Sequence, residues 1–512
     1  MGEVSEGILP VIAVDRRAAS PLHKQVYDGF RRAIVQGDLR PGQRVPSSRE
    51  LALELSLSRV PVLNAYAQLL AEGYFETRHG AGTFVSGFLP ERLTCCERPP
   101  ALSTSADSGP RPIARRSLLL PRYEKAPWAH GWGAFGVHQS ALDQFPFQIW
   151  SALVVRHCRS PRARALHHVD PLGSQRFREA VSMYLRTARA VRCDPQQVMI
   201  VAGSQQALDI SARVLLDPGS PVWVEEPGYW LARNAFRGAG CRLIPVPVDR
   251  DGMVVDAGVR LCRKARAAHV TPSHQYPLGA TMSAPRRFQL LDWAQRSGSW
   301  IVEDDYDSEY RYESMPIASL QGLDHNSRVI YIGTFSKVLF PSLRLGYIVI
   351  PPDLVDRFVA VRYSMDIFPP YLNQEVLADF MLEGHFARHI RRTRVLYSER
   401  RSSLVESIRK TFGSTLKVHG AEAGMHFAVT LPDGFSDREI AVRAAREGLW
   451  LWPLSPSYLG GPSRQGLILG FGSTAPAEVP DAVERLRGVI MSAQGSPRGS
   501  LSACSGASGR NS

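Results

Sequence analysis

The sequence predicts an α/β protein in which a small N-terminal helical module precedes a large domain built on a mostly parallel sheet. Short runs rich in valine and isoleucine, such as 198–201 and 329–332, alternate with helical patterns through the middle of the chain. Near the N-terminus, apolar residues instead recur every four positions from Leu22 to Ile34, which is typical of a helix with one buried face. A chain of 512 residues, 44% of them hydrophobic, is long enough for two or three domains.

Composition narrows the class of protein. The longest apolar stretches are strand-sized and no basic segment leads into an apolar one at the N-terminus, so we expect no membrane span, no secretory signal and a cytoplasmic protein. The seven cysteines include no Cys-x-x-Cys pair, which disfavours a zinc site or a disulfide framework, and we expect no metal. The net charge of +13 suggests nucleic acid, yet residues 1–86 carry ten Lys/Arg against nine Asp/Glu. Charge alone therefore does not locate a DNA-binding domain.

Three helices and a hairpin are predicted in the first 86 residues. The first helix ends near Gly37, and Ser47 stands three residues before Glu50, a capping-box pattern that opens a second helix through Leu55. Ser58 can cap the third helix. The spacing predicts its core positions at Val60, Leu63, Ala67 and Leu70 and outward positions at Arg59, Asn64 and Gln68.

The tight turn between the second and third helices matches helix-turn-helix geometry, in which the first turn of the second helix of the pair meets base edges in the major groove. The runs 74–77 and 83–86 flank a glycine-rich segment, Arg78 to Gly82, suited to a wing that contacts DNA. A small helical packing domain with a solvated charged face is the alternative.

This module resembles the winged helix of GntR-type regulators. Between Pro41 and Val85 it carries Pro-Gly, Pro-Ser-x-Arg-x-Leu-Ala, Ser-Arg and Gly-x-Gly-Thr-Phe-Val in the family's order, although Pro61 stands where threonine is usual. By that resemblance Arg49, Ser58, Arg59 and His79 contact double-stranded DNA. The predicted interface extends to Arg44, Ser47, Asn64, Arg78 and Gly80.

Proline and serine content marks the domain limits. We expect a DNA-binding domain over 15–88, a Pro/Arg-rich linker over 89–127 and a Gly/Ser-rich disordered tail over 491–512. The large domain then spans 128–490, with a large part about 145–360 and a small part about 361–490.

Lys337 is the candidate for covalent chemistry, in a chain with only six lysines among 61 basic residues. A lysine must lose its proton to attack an aldehyde, and a desolvated or cation-flanked setting makes that easier. Arg344 can supply the cation and bind a phosphate. An isolated lysine would by default be a salt-bridged surface residue, so other features must decide.

Two further segments indicate a ligand: one favours an anion, and the other favours a protonated aromatic ring. Gly203-Ser204 follows a strand and opens a helix, and the free N–H groups of such a junction attract anions, although Ser204 also fits a simple cap. Glu303, Asp304 and Asp305 end a buried strand, where isolated charges are costly. A pyridinium nitrogen suits such a carboxylate. A metal site or solvated acids at a sheet edge are the alternatives.

Together these segments resemble a fold-type I aminotransferase over roughly residues 130–490, which implies pyridoxal 5′-phosphate as cofactor. The resemblance assigns the Schiff base to Lys337, the ring nitrogen to Asp304, the phenolic oxygen to Tyr306 and ring stacking to Tyr229. Ser204, Gln205, Thr334 and Arg344 match the phosphate-binding residues, and Ser336 is a further candidate for cofactor binding. His274 or Gln275 takes the place of the family's asparagine, in the segment 271–279.

That replacement and the fused winged helix are typical of the MocR subfamily of GntR regulators. One departure concerns chemistry: Ile468 stands where aminotransferases hold the substrate carboxylate with an arginine, and Arg464 is the nearby candidate to replace it.

Three hypotheses follow. The first is a homodimeric, head-to-tail regulator that senses a small amine, an amino acid or pyridoxal phosphate and binds paired half-sites. The second is a working aminotransferase with a fused regulatory domain. The third is a DNA-binding protein with a cofactor-free dimerisation scaffold. Ile468 favours the first over the second.

Overall fold

The computed structural model describes residues 12–493, apart from 19, 79, 88–111, 124, 130, 160–169, 313–317 and 461–462. The chain forms two compact units that divide between Pro112 and Ile113. His79, most of the expected linker and nearly all of the expected tail lie outside the described residues. The domain limits given above therefore remain expectations.

The first unit has three helices and a hairpin in the predicted order. These are α1 Leu22–Gln36, α2 Ser48–Glu54, α3 Arg59–Ala71, β1 Phe75–Arg78 and β2 Gly82–Val85, with the strands antiparallel. Gly37 ends α1 in the left-handed conformation. The Ser47 hydroxyl accepts from the Glu50 N–H, and the Glu50 carboxylate accepts from the Ser47 N–H at 2.8 Å. The predicted capping box is confirmed.

The predicted core face of α3 is wrong. Val60 and Leu63 are 63% and 43% exposed, whereas Val62, Ala65, Tyr66 and Leu69 are buried. The segment is apolar on nearly every side, so two overlapping apolar stripes fit a helical period and the sequence does not choose between them. Tyr66 decides the choice, because its ring packs edge-on against Phe30 and Phe75.

The second unit holds an eight-stranded sheet in the order β3-β10-β9-β8-β7-β4-β5-β6. Its strands are β3 Val198–Val201, β4 Pro221–Glu226, β5 Arg242–Asp249, β6 Gly252–Met253, β7 Ala267–Val270, β8 Trp300–Asp305, β9 Val329–Thr334 and β10 Gly346–Val349. Strands β5, β4, β7, β8 and β9 run parallel, whereas β10 is antiparallel to both neighbours and β6 to β5. The expected mostly parallel sheet is confirmed.

Helices cover this sheet and connect it to a smaller one. They are α4 Phe147–Arg159, α5 Gln175–Arg189, α6 Ser204–Leu215, α7 Trp230–Gly238, α8 Val255–Leu261, α9 Ala284–Ser297, α10 Leu320–Leu323, α11 Val355–Asp366, α12 Leu372–Leu382, α13 His385–Phe412, α14 Asp437–Arg446 and α15 Val479–Ala493. The smaller, antiparallel sheet has the order β11-β12-β14-β13. Its strands are β11 Lys417–His419, β12 His426–Thr430, β13 Trp452–Pro453 and β14 Gly466–Gly470.

The apolar cores show how the second unit is divided. Val376, Leu377 and Phe380 of α12 share a core with β3 and β10 of the large sheet. The small sheet forms another core with α14, α15 and the later turns of α13. Helix α12, which follows residue 360, thus packs on the large sheet. No helix in the described part of the chain is long and apolar enough to cross a membrane.

Candidate functional site

A cavity of about 160 Å³ lies at the carboxyl ends of the large sheet's parallel strands, where open α/β sheets bind ligands. Cavities of about 150 Å³ can hold a benzene ring, so the space suits an aromatic group. Strand ends supply Asp304 and Thr334, and the loop after β9 supplies Lys337. The lining residues are His138, Ser204, Gln205, Tyr229, Leu231, Thr271, Tyr276, Asp304, Tyr306, Thr334, Ser336, Lys337, Pro341 and Arg344.

Hydrogen bonds hold the backbone at Lys337, and the pKa of its amine is lowered. Its carbonyl accepts from the Ser140 hydroxyl at 3.1 Å, and His389 contacts the next carbonyl, that of Val338, at 3.0 Å. Desolvation lowers the pKa of Lys337 to about 8; Asp307 and Asp304 oppose that shift, and Arg344 adds to it. A larger share of neutral amine is thus present near neutral pH than for an ordinary lysine.

The three carboxylates that end β8 have different partners. Glu303 accepts from the N–H groups of Leu320 and Gln321, both at 2.9 Å, and burial raises its pKa to about 7. Asp305 pairs with Arg189, with 2.7 Å between Nη2 and Oδ2. These two side chains serve the fold.

Asp304 is the β8 carboxylate that lines the cavity. His269 lies 3.7 Å from its Oδ2, and its buried Oδ1 has no hydrogen-bond partner among the described residues. A buried carboxylate oxygen without a partner is costly, so a donor inside the cavity would satisfy it.

A second group of residues at the cavity favours an anion. Gly203 has φ +95° at the junction between β3 and α6, and a Cβ there would come within 3.2 Å of the Arg344 guanidinium. Ser204 begins α6, whose first N–H groups are free to bind an anion. The buried Ser336 hydroxyl has no partner among the described residues, and Thr334 accepts from the Ser336 N–H at 3.2 Å. A phosphate would satisfy these donors.

Tyr229 and Tyr306 also line the cavity, as the resemblance implies. The Tyr306 hydroxyl donates to the His274 carbonyl at 2.9 Å. Burial raises the pKa of both phenols, so both are neutral.

Gln275, His274 and Arg464 do not line the cavity. The Gln275 side-chain N–H groups donate to the Pro227 and Tyr276 carbonyls at 2.8 and 2.6 Å, so the amide organises the loop. His274 Nδ1 lies 3.0 Å from Asp307 Oδ2. Arg464 is exposed and acts electrostatically on His419 and Tyr458. Asp307 lies 33 residues from His274 and Pro227 lies 48 residues from Gln275, so the sequence did not reveal these two contacts.

His138 and Tyr276 line the cavity but were not singled out from the sequence. Tyr276 lies in the segment 271–279, so its position was a usable signal. His138 lies in no motif and reaches the cavity from almost 200 residues before Lys337.

A second candidate site lies on the first unit. The residues predicted to contact DNA are exposed wherever they are described, namely Arg44, Ser47, Arg49, Ser58, Arg59, Asn64, Arg78 and Gly80. A groove bounded by α2, α3 and β2 brings Arg44 and Ser47 together with Leu63. Arg59 Nε donates to the Ser48 hydroxyl at 3.3 Å. Arg78 pairs with Glu76 at 2.7 Å and covers the Phe84 ring.

Family models match both units. The model described as bacterial regulatory proteins of the gntR family matches residues 22–85, and the model of aminotransferase class I and II matches residues 163–464. The DNA-binding module and the aminotransferase-type fold expected from the sequence are confirmed.

Two relatives match along nearly the whole chain. The probable rhizopine catabolism regulatory protein MocR of Rhizobium meliloti is 38% identical over 95% of this chain and 97% of its own. The pyridoxine biosynthesis transcriptional regulator PdxR of Corynebacterium glutamicum is 31% identical over 92% of this chain and 98% of its own. A kynurenine aminotransferase of Pyrococcus horikoshii, solved with PMP, superposes with a TM-score of 0.68 at 28% identity, covering 74% of this chain and 97% of that chain.

Proposed function

This chain belongs to the MocR group of GntR-type transcriptional regulators, and on that premise we propose that a small amine entering the cavity beside Lys337 sets its affinity for operator DNA. The chain is a DNA-binding regulator, and its aminotransferase-type domain uses pyridoxal 5′-phosphate. The observation that carries the proposal is that Lys337 and Asp304 share one cavity in a chain that also has a winged helix. An amino acid or the cofactor itself is the competing effector.

The cavity fits the cofactor by the chemistry of its unsatisfied groups. Asp304 Oδ1 would accept from a protonated ring nitrogen, and Ser336 would donate to a phosphate. We propose that Ser204, Gln205, Thr334 and Arg344 complete the phosphate site and that Tyr229 and Tyr306 hold the ring. When bound, the cofactor supplies an aldehyde that reacts reversibly with amines, and Lys337 is the residue placed to hold it.

On the DNA side, we propose that α2 and α3 meet the major groove and the β1–β2 hairpin meets the backbone. Exposed arginines on these elements, with Arg59 at the start of α3, supply the phosphate and base contacts. A head-to-tail homodimer would place two such modules on paired half-sites, and an effector that favours one dimer geometry would change their fit. Operator binding requires the protein to share a compartment with DNA, so a cytoplasmic location is part of the proposal.

Operator binding of wild type and Lys337→Ala tests the role of the cavity. An operator is first selected from random DNA. The affinity of each protein for this operator is then measured by fluorescence anisotropy in the presence of the cofactor and of each amine in a panel. We expect amines to shift the wild-type affinity and to leave that of Lys337→Ala unchanged. Lys410→Ala, on the exposed side of α13, is the matched control and should respond like wild type. Equal responses of wild type and Lys337→Ala would contradict the proposal.

A working aminotransferase would use the same cofactor residues. Ile468 argues against turnover, because it is buried at the position where the resemblance places the carboxylate-binding arginine. Steady-state assays with amino donors and a 2-oxo acid separate the two functions. We expect amine binding without sustained transamination.

A further inference from the structure

His138 is held in an unusual conformation at the wall of the cavity. Its φ is +69°, in the left-handed region that non-glycine residues seldom adopt. Its imidazole stacks on Tyr276 with centroids 5.5 Å apart and meets Trp452 and His426 edge-on at 5.3 and 6.1 Å. Such strain persists only where the surroundings impose it, and here three rings fix the imidazole.

The fixed imidazole is available to a ligand. His138 makes no hydrogen bond within the described part of the chain, and neither does the Tyr276 hydroxyl. Desolvation holds the pKa of His138 well below its usual value, and the charges of Lys337 and His426 lower it further. A neutral imidazole offers one donor and one acceptor, but no positive charge for a carboxylate.

The described part of the cavity wall next to His138 also has no arginine that could pair with the carboxylate of a ligand. Ile468 is buried in a cluster with Val137, Tyr276 and Leu454. Among the described residues that line the cavity, the cations are Lys337 and Arg344, and Arg344 stands beside Gly203, among the residues suited to a phosphate. The wall beside His138 therefore offers a ligand neutral groups able to form hydrogen bonds and, within the described residues, no arginine.

We propose that the effector is a primary amine whose other polar groups are uncharged hydroxyls, and that His138 and Tyr276 hydrogen-bond to those hydroxyls. The inference rests on the proposed function, in that it assumes an amine binds beside Lys337. An amino acid is disfavoured because its carboxylate would lose hydration without gaining a cationic partner. His138 is thus a specificity-determining residue.

Three amines with the same three-carbon skeleton test this assignment. 2-Amino-1,3-propanediol has two hydroxyls, L-serine replaces one hydroxymethyl group with a carboxylate, and isopropylamine has neither group. Each is titrated calorimetrically into the cofactor-loaded full chain. We expect the diol to bind at least tenfold more tightly than either of the others.

Two variants locate the preference at His138. His138→Gly removes the imidazole and relieves the left-handed backbone, so it should fold and bind the diol and isopropylamine about equally. His138→Asn keeps a donor and an acceptor in a residue that tolerates this conformation, and it should retain part of the preference. Tighter binding of L-serine, or an unchanged preference in His138→Gly, overturns the assignment while leaving regulation by an amine intact. Absence of binding by all three amines overturns both proposals.

Discussion

The cavity around Lys337 and the outward face of α3 distribute their polar groups in opposite ways. In and behind the cavity, carboxylates and arginines are buried, and Asp305 is held by both Arg189 and Tyr331. On α3 the outward face carries the exposed apolar side chains of Val60 and Leu63, and the one charged residue of this helix, Arg59, stands at its start.

Because of this difference, a substitution should affect fold stability near the cavity and DNA recognition on α3. A buried charge needs its partner, so removing one partner destabilises the fold as well as the site. An exposed side chain on α3 has few partners to lose, so changing it affects recognition alone. Four measurements test this contrast, from the largest expected effect to the smallest.

Arg189→Ala should destabilise the second unit by about 3 to 5 kcal/mol, because it leaves Asp305 buried without its cation. Arg189 also donates to the Ser273 hydroxyl at 3.0 Å, so the loop beside the cavity loses a support. All nine tryptophans of the chain lie beyond residue 112. Tryptophan fluorescence during guanidinium unfolding therefore follows this unit alone.

The control is an ion pair of the same residue types on the surface. Arg296 and Asp292 pair within α9, with side chains 74% and 52% exposed. Arg296→Ala should change the unfolding free energy by less than about 1 kcal/mol. Similar losses for both variants would contradict the contrast between buried and exposed charges.

Lys337 should react as an unusually acidic lysine. With a pKa of about 8, it holds roughly 300 times more neutral amine at pH 7 than a lysine at 10.5, since each unit is a factor of ten. In cofactor-free protein, its labelling by trace acetic anhydride should therefore rise with pH to a midpoint near 8, measured by peptide mass spectrometry. In urea the midpoint should move to the ordinary value. A native midpoint above about 10 would show that the cavity does not dehydrate this amine.

Leu63→Ser should weaken operator binding about fivefold, the equivalent of about 1 kcal/mol for lost apolar contact. The apolar group in the major groove is the thymine methyl, which the outward face of α3 can contact. Replacing thymine with deoxyuridine in the operator should weaken wild type and leave Leu63→Ser unaffected. Val35→Ser, at a site 50% exposed on α1, is the matched control and should bind like wild type.

Local patterns predicted much of the fold and part of the candidate site. Strand ends marked by Gly203, Asp304 and Thr334 converge because parallel strands meet at one edge of the sheet, so separate motifs predicted one cavity. The wing and the capping box also depend on short-range geometry. What remained hidden depends on distant contacts: the rings that fix His138, and the Tyr66 packing that turns Leu63 outward.

Ser47→Ala should have the smallest effect, a loss of about 1 kcal/mol, because the Glu50 N–H loses its side-chain acceptor. Amide hydrogen exchange in residues 48–55 should accelerate about fivefold if α2 opens locally, while peptides of the second unit stay unchanged. Ser58→Ala is the matched control, since the Ser58 hydroxyl makes no capping hydrogen bond to α3. If α3 exchanged faster in Ser58→Ala than α2 in Ser47→Ala, the capping assignment would be reversed. If neither helix changed but Ser58→Ala bound operator less tightly, Ser58 would act on DNA and the capping box would contribute little.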